Sequence, residues 1–491
     1  MMEFIWTVTY AIVVVGLSTY GLHRFWMIFA YLKHKNKEVL PLGTFKDLPL
    51  VTVQLPIYNE VYVAERLLRS VAEIDYPVGR LEIQVLDDST DETSALVATV
   101  VAELVGKGID IQHLRRGSRH GFKAGALQYG LERAKGEIVA VFDADFLPPA
   151  NILKDTIHYF TDTKIGMIQT RWGHANRSYN MLTRVQSLLL DGHLLIEQTA
   201  RNRSGRFFNF NGTAGFWRKS CIAEAGGWEH DTLTEDLDLS YRAQLAGWKF
   251  IFLPGVITPA ELPVDMNSFK AQQHRWAKGA IQTCKKLLPR LLKSNLPFKV
   301  KIEGAFHLTS NFAYLFLAIL ALLTRPAARE IHPGFDLLVS LDLLIFFLAS
   351  LSIVTFYMVV LIEIGAKWWT GFFYIPALIS VGIGLSINNA RAVLEAVFNH
   401  QSDFARTPKY GITAPLQTWH DKQYRSIKNL MPILELGMAF YYGYFIWLAI
   451  KLQLWSWMPF LLLFLAGFGY VSILSIFQRP LFSKRTASKS I

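Results

Sequence analysis

Cysteine is nearly missing. Cys221 and Cys284 are the only two in 491 residues, too few and too far apart for a disulfide framework, so both read as core thiols. Charge is scarce too, at 18% against 52% hydrophobic residues. A chain of this length is too long for one average soluble domain and too apolar for two, so part of it must meet lipid. No internal repeat or low-complexity tract is present. The first apolar run, residues 4–22, has no basic region before it and no small-residue cleavage site after it, which argues for a retained anchor over a removed signal peptide. A basic stripe interleaved with aromatics is also lacking, so the formal charge of +11 is read as affinity for a membrane surface and phosphate-bearing substrates, with no nucleic acid partner.

The apolar runs that are present cluster at residues 4–22 and beyond residue 304, while residues 45–300 have ordinary globular composition. Arg24, Lys33, Lys35 and Lys37 follow the first run, and the positive-inside tendency places them and the next domain in the cytoplasm. The N-x-[ST] sequences at Asn176, Asn202 and Asn211 are then accidental. Runs at 304–324, 336–362, 433–452 and 455–477 are each near the ~20 residues that a bilayer needs. A fifth run, 371–390, decides the parity of the rest. Only if it stays at the interface are both basic segments cytoplasmic: Arg391, Arg406, Lys409, Lys422, Arg425 and Lys428, and the tail with Arg479, Lys484, Arg485 and Lys489. Residues 371–398 are therefore expected as an interfacial helix, with five spans in all.

The expected organisation is a transmembrane anchor at 1–40, a cytosolic domain at 45–300 and two transmembrane helices within 301–365. An interfacial helix and loop fill 366–430, two more transmembrane helices 431–480, and a basic cytosolic tail 481–491.

Within the cytosolic region, β-branched runs alternate with helical stretches: 50–55 then 61–74, 81–86 then 91–105, and 138–142 then 149–160. The alternation predicts an α/β domain with a parallel sheet covered on both faces. Ligands on such sheets gather at the carboxyl ends of strands. Three polar clusters fall there: Pro56-Ile57-Tyr58-Asn59-Glu60, Asp87-Asp88-Ser89 and Asp143-Ala144-Asp145.

Each cluster has a chemical and a bland meaning. Asp143 and Asp145 present two carboxylates to one hard cation, Mg²⁺ or Mn²⁺, that would share a nucleotide diphosphate; two aspartates in a turn also simply cap it. One of Asp87 and Asp88 can accept a hydrogen bond from a base or ribose hydroxyl, while Ser89 to Asp91 start a helix. Lys123, between Gly121 and Gly125, can offset diphosphate charge at a helix start or sit solvated. In Thr234-Glu235-Asp236, Asp236 is chosen as the general base that takes a proton from an acceptor hydroxyl; the same residues suit a helix N-terminus. Gln272-Gln273-His274-Arg275-Trp276 offers Arg275 to a departing diphosphate and Trp276 as a stacking face for a sugar, or an interfacial Arg and Trp. A metal with carboxylates also fits phosphatases and nucleases.

Taken in order, Asp87-Asp88, Asp143-x-Asp145, Thr234-Glu235-Asp236 and Gln272-x-x-Arg275-Trp276, with apolar spans on both sides, resemble the inverting family 2 glycosyltransferases, the group of cellulose, mannan, chitin and hyaluronan synthases. Longer strings are similar to the cellulose-synthase-like mannan and glucomannan synthases: residues 84–91, 121–127, 210–215 and 272–276. The resemblance covers residues 49–285, and the last third in layout.

It implies a GT-A type, Rossmann-like domain between transmembrane helices. It further implies nucleotide binding by Asp88 (or Asp87) and by Tyr58 with Glu60, a metal at Asp145 with Asp143, and Asp236 as base beside Glu235. It implies that Gln272, Arg275 and Trp276 line the diphosphate and acceptor site and that 210–215 forms the loop at the acceptor terminus. Residues 404–409 resemble a gating loop with Thr407 and Lys409 facing phosphate, although Arg406 and Pro408 depart from the cellulose type. No cyclic-nucleotide-sensing domain or cysteine-rich extension is seen, and accessory proteins are left open. The implied activity is processive synthesis and export of a β-1,4-glucan, mannan or glucomannan from UDP-glucose or GDP-mannose, in the plasma (inner) membrane with the domain cytoplasmic. The alternative is a single transfer to a membrane lipid acceptor.

Overall fold

The computed structural model describes residues 2–324, 336–400, 407–413, 417, 419 and 430–478. Residues 404–406, the basic Lys422, Arg425 and Lys428, and the tail from Arg479 lie outside the described residues.

After helix α1 (Met2–His34), the chain alternates strands and helices: β1 (Val51–Ile57), α2 (Ala64–Ala72), β2 (Leu81–Asp87), α3 (Thr93–Gly106), β3 (Ile111–Arg115), α4 (Phe122–Leu131) and β4 (Ile138–Val141). The helices form because their apolar residues fall on one face. In α2, the buried Ala64, Leu67, Leu68 and Val71 are three and four apart, and in α3 Val97, Val100, Val101 and Leu104 repeat the pattern. The strands β1 and β4 are buried nearly throughout, as strands covered on both faces must be.

Then come β5 (Ile165–His174), α5 (Met181–Asp191), α6 (Gln198–Arg203), β6 (Gly215–Arg218), α7 (Lys219–Glu224), α8 (Glu235–Leu245), β7 (Lys249–Ala260) and α9 (Met266–Lys293). The seven strands form one sheet in the order β3-β2-β1-β4-β6-β5-β7. It is mainly parallel; β6 alone runs antiparallel, to β4 and β5. Apolar clusters around Val53, Leu55 and Ile83, and around Leu127, Val139 and Trp217, cover the domain's core.

The expected helix at 149–160 is not there. Residues 149–156 are turns, followed by a 3₁₀ helix at Ile157–Thr161. Ile152, Leu153, Ile157 and Phe160 are buried as their spacing demands. The backbone mixes closures three apart (Ile152 N to Pro149 O, 3.0 Å) and four apart (Ile157 N to Leu153 O, 2.8 Å), and the Thr156 hydroxyl bonds the Ile152 carbonyl at 2.7 Å, an alternative to regular helix.

The remaining elements among the described residues are chiefly helices: α10 (Phe298–Thr309), α11 (Phe312–Leu323), α12 (Asp336–Glu363), α13 (Gly371–Gly384), α14 (Ser386–Val397), α15 (Met431–Lys451) and α16 (Met458–Phe477). Among the described residues, three helices are long and apolar enough to cross a membrane, Ile5–His34, Met431–Lys451 and Trp455–Phe477, or up to five spans if each bent pair counts as one. Residues 304–324 are expected from sequence as one span. They comprise the end of α10 and all of α11, two helices apolar enough together for a span and bent by 52°. The cause is local: Thr309 and Ser310 turn their hydroxyls back onto the carbonyls of Ala305 (2.7 Å) and His307 (2.9 Å), and Tyr20 takes the Thr309 carbonyl at 2.9 Å. The segment expected as one interfacial helix, 371–398, is likewise two helices, α13 and α14, bent by 44°.

Candidate active site

The register of the parallel strands levels their carboxyl ends. Ile57 is opposite Asp87, and Gln54 is opposite both Gln84 and Val141. The residues that leave β1, β2 and β4 therefore emerge side by side. They open into a cleft of about 1270 Å³, its mouth included, walled on the other side by α8 and α9. Tyr58, Glu60, Asp88, Lys123, Asp143, Asp145, Glu235, Asp236, Gln272, Arg275, Trp276, Thr407 and Lys409 all line it.

Asp87 is the exception. It is 1% exposed, and its carboxylate accepts from His113 Nε2 at 2.8 Å and from the Ser89 amide at 2.8 Å. Burial pushes its carboxyl up, but these bonds outweigh burial and hold it down at about 2. Asp87 thus fixes the turn after β2 and does not line the cleft. Its neighbour Asp88 does, gripped in a fork by Arg116, whose Nε lies 2.9 Å from Oδ1 while Nη2 meets Oδ2.

The acidic centre is balanced by two ammonium groups from distant parts of the chain. Lys123 Nζ lies 2.6 Å from Asp143 Oδ1 and 4.0 Å from Glu235, and donates to the Gly212 carbonyl at 2.8 Å. Lys409 meets Asp145 and stands 3.4 Å from Glu60. Burial raises both aspartates; for Asp143 the Lys123 and Lys409 charges win and its carboxyl is lowered, whereas Asp145, with Asp143 and Glu60 close by, stays raised even beside Lys409. This donor set fits a hard divalent cation: the ligands are carboxylate oxygens, and a lysine ammonium already stands in for a cation against each aspartate. A second acidic group, Glu229, Asp231 and Asp238, is filled by the Lys286 ammonium, 2.8 Å from Asp231 and 3.0 Å from Asp238.

Asp236 starts α8. Its Oδ1 accepts from the Leu237 amide at 2.8 Å, and burial with the adjacent Glu235 charge pushes its carboxyl up to about 7. Oδ2 meets the 210–214 loop at Gly212: a Cβ on that glycine, whose φ is +83°, would lie 3.0 Å from it. The start of α8 is fixed from behind by α9. Gly279 packs so closely that a Cβ there would fall 2.6 Å from Thr234 Cγ2, and Gln282 accepts from the Leu233 amide at 2.9 Å. The same helix carries Gln272, Arg275 and Trp276, and the Arg275 charge lowers both Asp143 and Asp236.

Several contributors were not anticipated. Arg116 positions Asp88, and Arg119 stacks on the Tyr58 ring with its Cζ 3.4 Å from the centroid. The basic string around them looks like ordinary surface, and only the pairing of an exposed-looking Arg with a strand-end aspartate would have flagged it. Asn59, Phe122 and Ala214 have φ of 53°, 49° and 52°, an uncommon region for residues other than glycine; Phe122 lines the cleft, and Asn59 lies between the lining residues Tyr58 and Glu60. Asn211 Nδ2 and Thr407 Oγ1 are buried polar atoms on the cleft wall with no hydrogen-bond partner among the described residues; both are donors that a ligand would satisfy.

Comparison with known proteins places this geometry. Residues 49–279 match the family described as "Glycosyltransferase like family 2". The chain is 40% identical over 272 residues to a probable glucomannan 4-beta-mannosyltransferase 11 of Oryza sativa subsp. japonica, covering 54% of this chain and 47% of that protein. It is 40% identical over 252 residues to glucomannan 4-beta-mannosyltransferase 1 of Cyamopsis tetragonoloba, covering 50% and 48%. The chain spans about half the length of these curated relatives. Among solved structures, a mannosyltransferase of Pyrobaculum calidifontis in complex with GDP-Man and Mn²⁺ superposes with a TM-score of 0.55 at 20% identity, over 80% of this chain and 100% of that one. The two share a fold.

Proposed function

From a chain whose residues 49–279 are a glycosyltransferase domain of the family 2 type, we propose a membrane-embedded, inverting synthase that extends a β-1,4-linked mannan or glucomannan from a nucleotide-activated hexose. The observation that carries it is the cleft itself: a carboxylate held near neutrality, Asp236, faces the same space as Lys123, Arg275, Asp143 and Asp145. The glucomannan 4-beta-mannosyltransferases that the chain resembles support mannose as the transferred sugar; we take GDP-mannose as its donor and UDP-glucose as a second.

Asp88, held by Arg116, and Tyr58, stacked on Arg119, take the nucleoside. Lys123 and Arg275 line the diphosphate path, and Thr407 and Lys409 approach it from the last third of the chain. Asp143 and Asp145 would hold Mg²⁺ or Mn²⁺, which when bound stabilises charge on the departing diphosphate. Trp276 gives the acceptor ring an apolar face, and the Asn211 amide and Gln272 give it hydrogen-bond partners.

Asp236 then takes the acceptor hydroxyl proton as that oxygen bonds to the anomeric carbon. The bond from that carbon to the diphosphate breaks, and its electron pair leaves with the diphosphate. Attack from the opposite face turns an α-linked donor into a β-linkage, the one-step logic of inversion. We place the domain on the cytoplasmic side of the plasma (inner) membrane, with the product leaving through the adjoining helices. A polar chain cannot cross lipid unaided.

The test is radiolabel incorporation from GDP-mannose and from UDP-glucose by the purified protein in nanodiscs, with Mg²⁺ or Mn²⁺ and with Asp236→Asn as control. Long product cut by a β-1,4-specific endomannanase, and absent in the variant, is expected. Label confined to chloroform-soluble lipid overturns polymer synthesis.

A further inference from the structure

Helix α9 is built with two opposed faces. Gln272, Arg275, Trp276 and Gly279, three and four apart, make the stripe that borders the cleft and the start of α8. Lys270, His274, Lys278 and Lys285 make another stripe, and each is engaged by a helix of the membrane region.

Lys270 and Glu435, 2% and 0% exposed, form a buried pair with Nζ 2.6 Å from Oε1 and 2.7 Å from Oε2. Asn388 on α14 donates to the Lys270 carbonyl at 3.0 Å. Further along, the Glu395 carboxylate of α14 collects Lys278 Nζ at 3.0 Å, His274 Nε2 at 3.3 Å and Arg391 Nε at 2.8 Å. Lys285 then donates to the carbonyls of Ala396 and Val397 at 3.1 and 2.9 Å, the cationic partner that a helix C-terminus favours. At its start α9 is tied to α16: Asn267 Nδ2 donates to the Ser475 carbonyl at 3.0 Å.

Buried ion pairs are a poor source of stability, because desolvation offsets their attraction. Their better use is registry: a pair with one geometry forbids the small slides that apolar contact tolerates. Registry is what α9 needs, since Gly279 leaves no room at Thr234 and a slide of α9 would carry Arg275 and Trp276 past Asp236, which belongs to α8. We propose that Glu395 and Glu435 are positioning residues for sugar transfer, holding α9 so that Arg275 and Trp276 stay aligned with Asp236. The proposal rests on the transferase reading of the cleft, and its test separates the two.

The experiment compares wild type, Glu435→Gln, Lys270→Met, Glu395→Gln and the double variant Lys270→Met/Glu435→Leu, all full length in nanodiscs, for kcat, donor KM and melting temperature. The donor is held mainly from β1, β2 and β4, so the single variants should lose kcat by about tenfold or more while donor KM stays within about threefold. The double variant, with an apolar pair replacing an ionic one, should melt near wild type and still have low kcat. Wild-type kcat in the double variant or in Glu395→Gln overturns the proposal while the transferase reading stands. So does a parallel change in KM and kcat in every single variant. A wild-type protein that transfers no sugar overturns the transferase reading, and this assignment with it.

Discussion

The Lys409 ammonium lies against the Asp145 carboxylate, 264 positions away in sequence, and 3.4 Å from Glu60. A segment that lies between α14 and α15 in sequence thus places a positive charge in the acidic centre of the sheet domain. Replacing Lys409 with Met removes the ammonium from Asp145 and Glu60 and leaves Lys123 on Asp143. Breaking a buried pair on one side costs about 3–5 kcal/mol; with Lys409 still partly accessible, a smaller loss is expected. The variant should melt below wild type in EDTA, and added Mn²⁺ should raise its melting temperature by more degrees than it raises that of wild type. Equal Mn²⁺ shifts would show that no cation takes up the place of the ammonium.

Asp236 is held up at about 7 by burial and by Glu235. A general base works only when deprotonated, so kcat/KM should fall tenfold per unit as pH drops below about 7 and level off above it. Glu235→Gln removes a neighbouring negative charge and should move that limb to lower pH. Asp236→Asn should lower kcat by about 10²–10⁴-fold, the usual contribution of such a base, with an unchanged melting temperature.

Gly212→Ala brings a methyl group to 3.0 Å from Asp236 Oδ2 at a φ of +83°. Gly205→Ala imposes a similar strain at φ +68° with nothing within 4 Å. Both should destabilise by about 1 kcal/mol or somewhat more. Only the first should lose kcat, by about tenfold or more. Equal activities in the two would place the Gly212 loop outside the reacting geometry.

The adjacent aspartates should separate by function. Arg116→Ala frees Asp88 and should raise donor KM about tenfold, the worth of a charge-assisted fork. Asp87→Asn should leave KM alone and cost about 1–3 kcal/mol in stability. Its pH dependence has a definite sign: the folded carboxyl is held at about 2 against an unfolded value near 4, so its stabilisation is present above pH ~4 and disappears as pH falls toward 2. In Asp87→Asn that acid-dependent loss should be smaller. A raised donor KM in Asp87→Asn would restore Asp87 to the site.

Much of this site could be read from residue order, because chemistry that needs carboxylates beside phosphate draws them to strand ends, and strand ends are visible as β-branched runs meeting Asp, Tyr or Asn. Which of Asp87 and Asp88 would face the cleft was not visible. Successive side chains of a strand take opposite sides, and a one-residue uncertainty in where β2 stops exchanges their roles. The bend at Thr309-Ser310-Asn311 and the turns at 149–156 escaped for a related reason. Hydropathy and apolar spacing report burial, whereas the course of the backbone there follows hydroxyl-to-carbonyl bonds of single Thr and Ser residues. The ionic face of α9 was hidden because its partners Glu395 and Glu435 lie more than 100 residues further along the chain.

The reversed strand β6 has one more effect. In the parallel part of the sheet, only segments departing from a strand reach the cleft rim. Because β6 runs the other way, with Gly215 opposite Val141, the 210–214 segment arrives at that rim on its way in. In the proposed mechanism the donor side is assembled from exits and the acceptor side from an entrance. On that mechanism a change in the length of the entering 210–214 loop alters what is extended and leaves the strand exits that hold the donor in place.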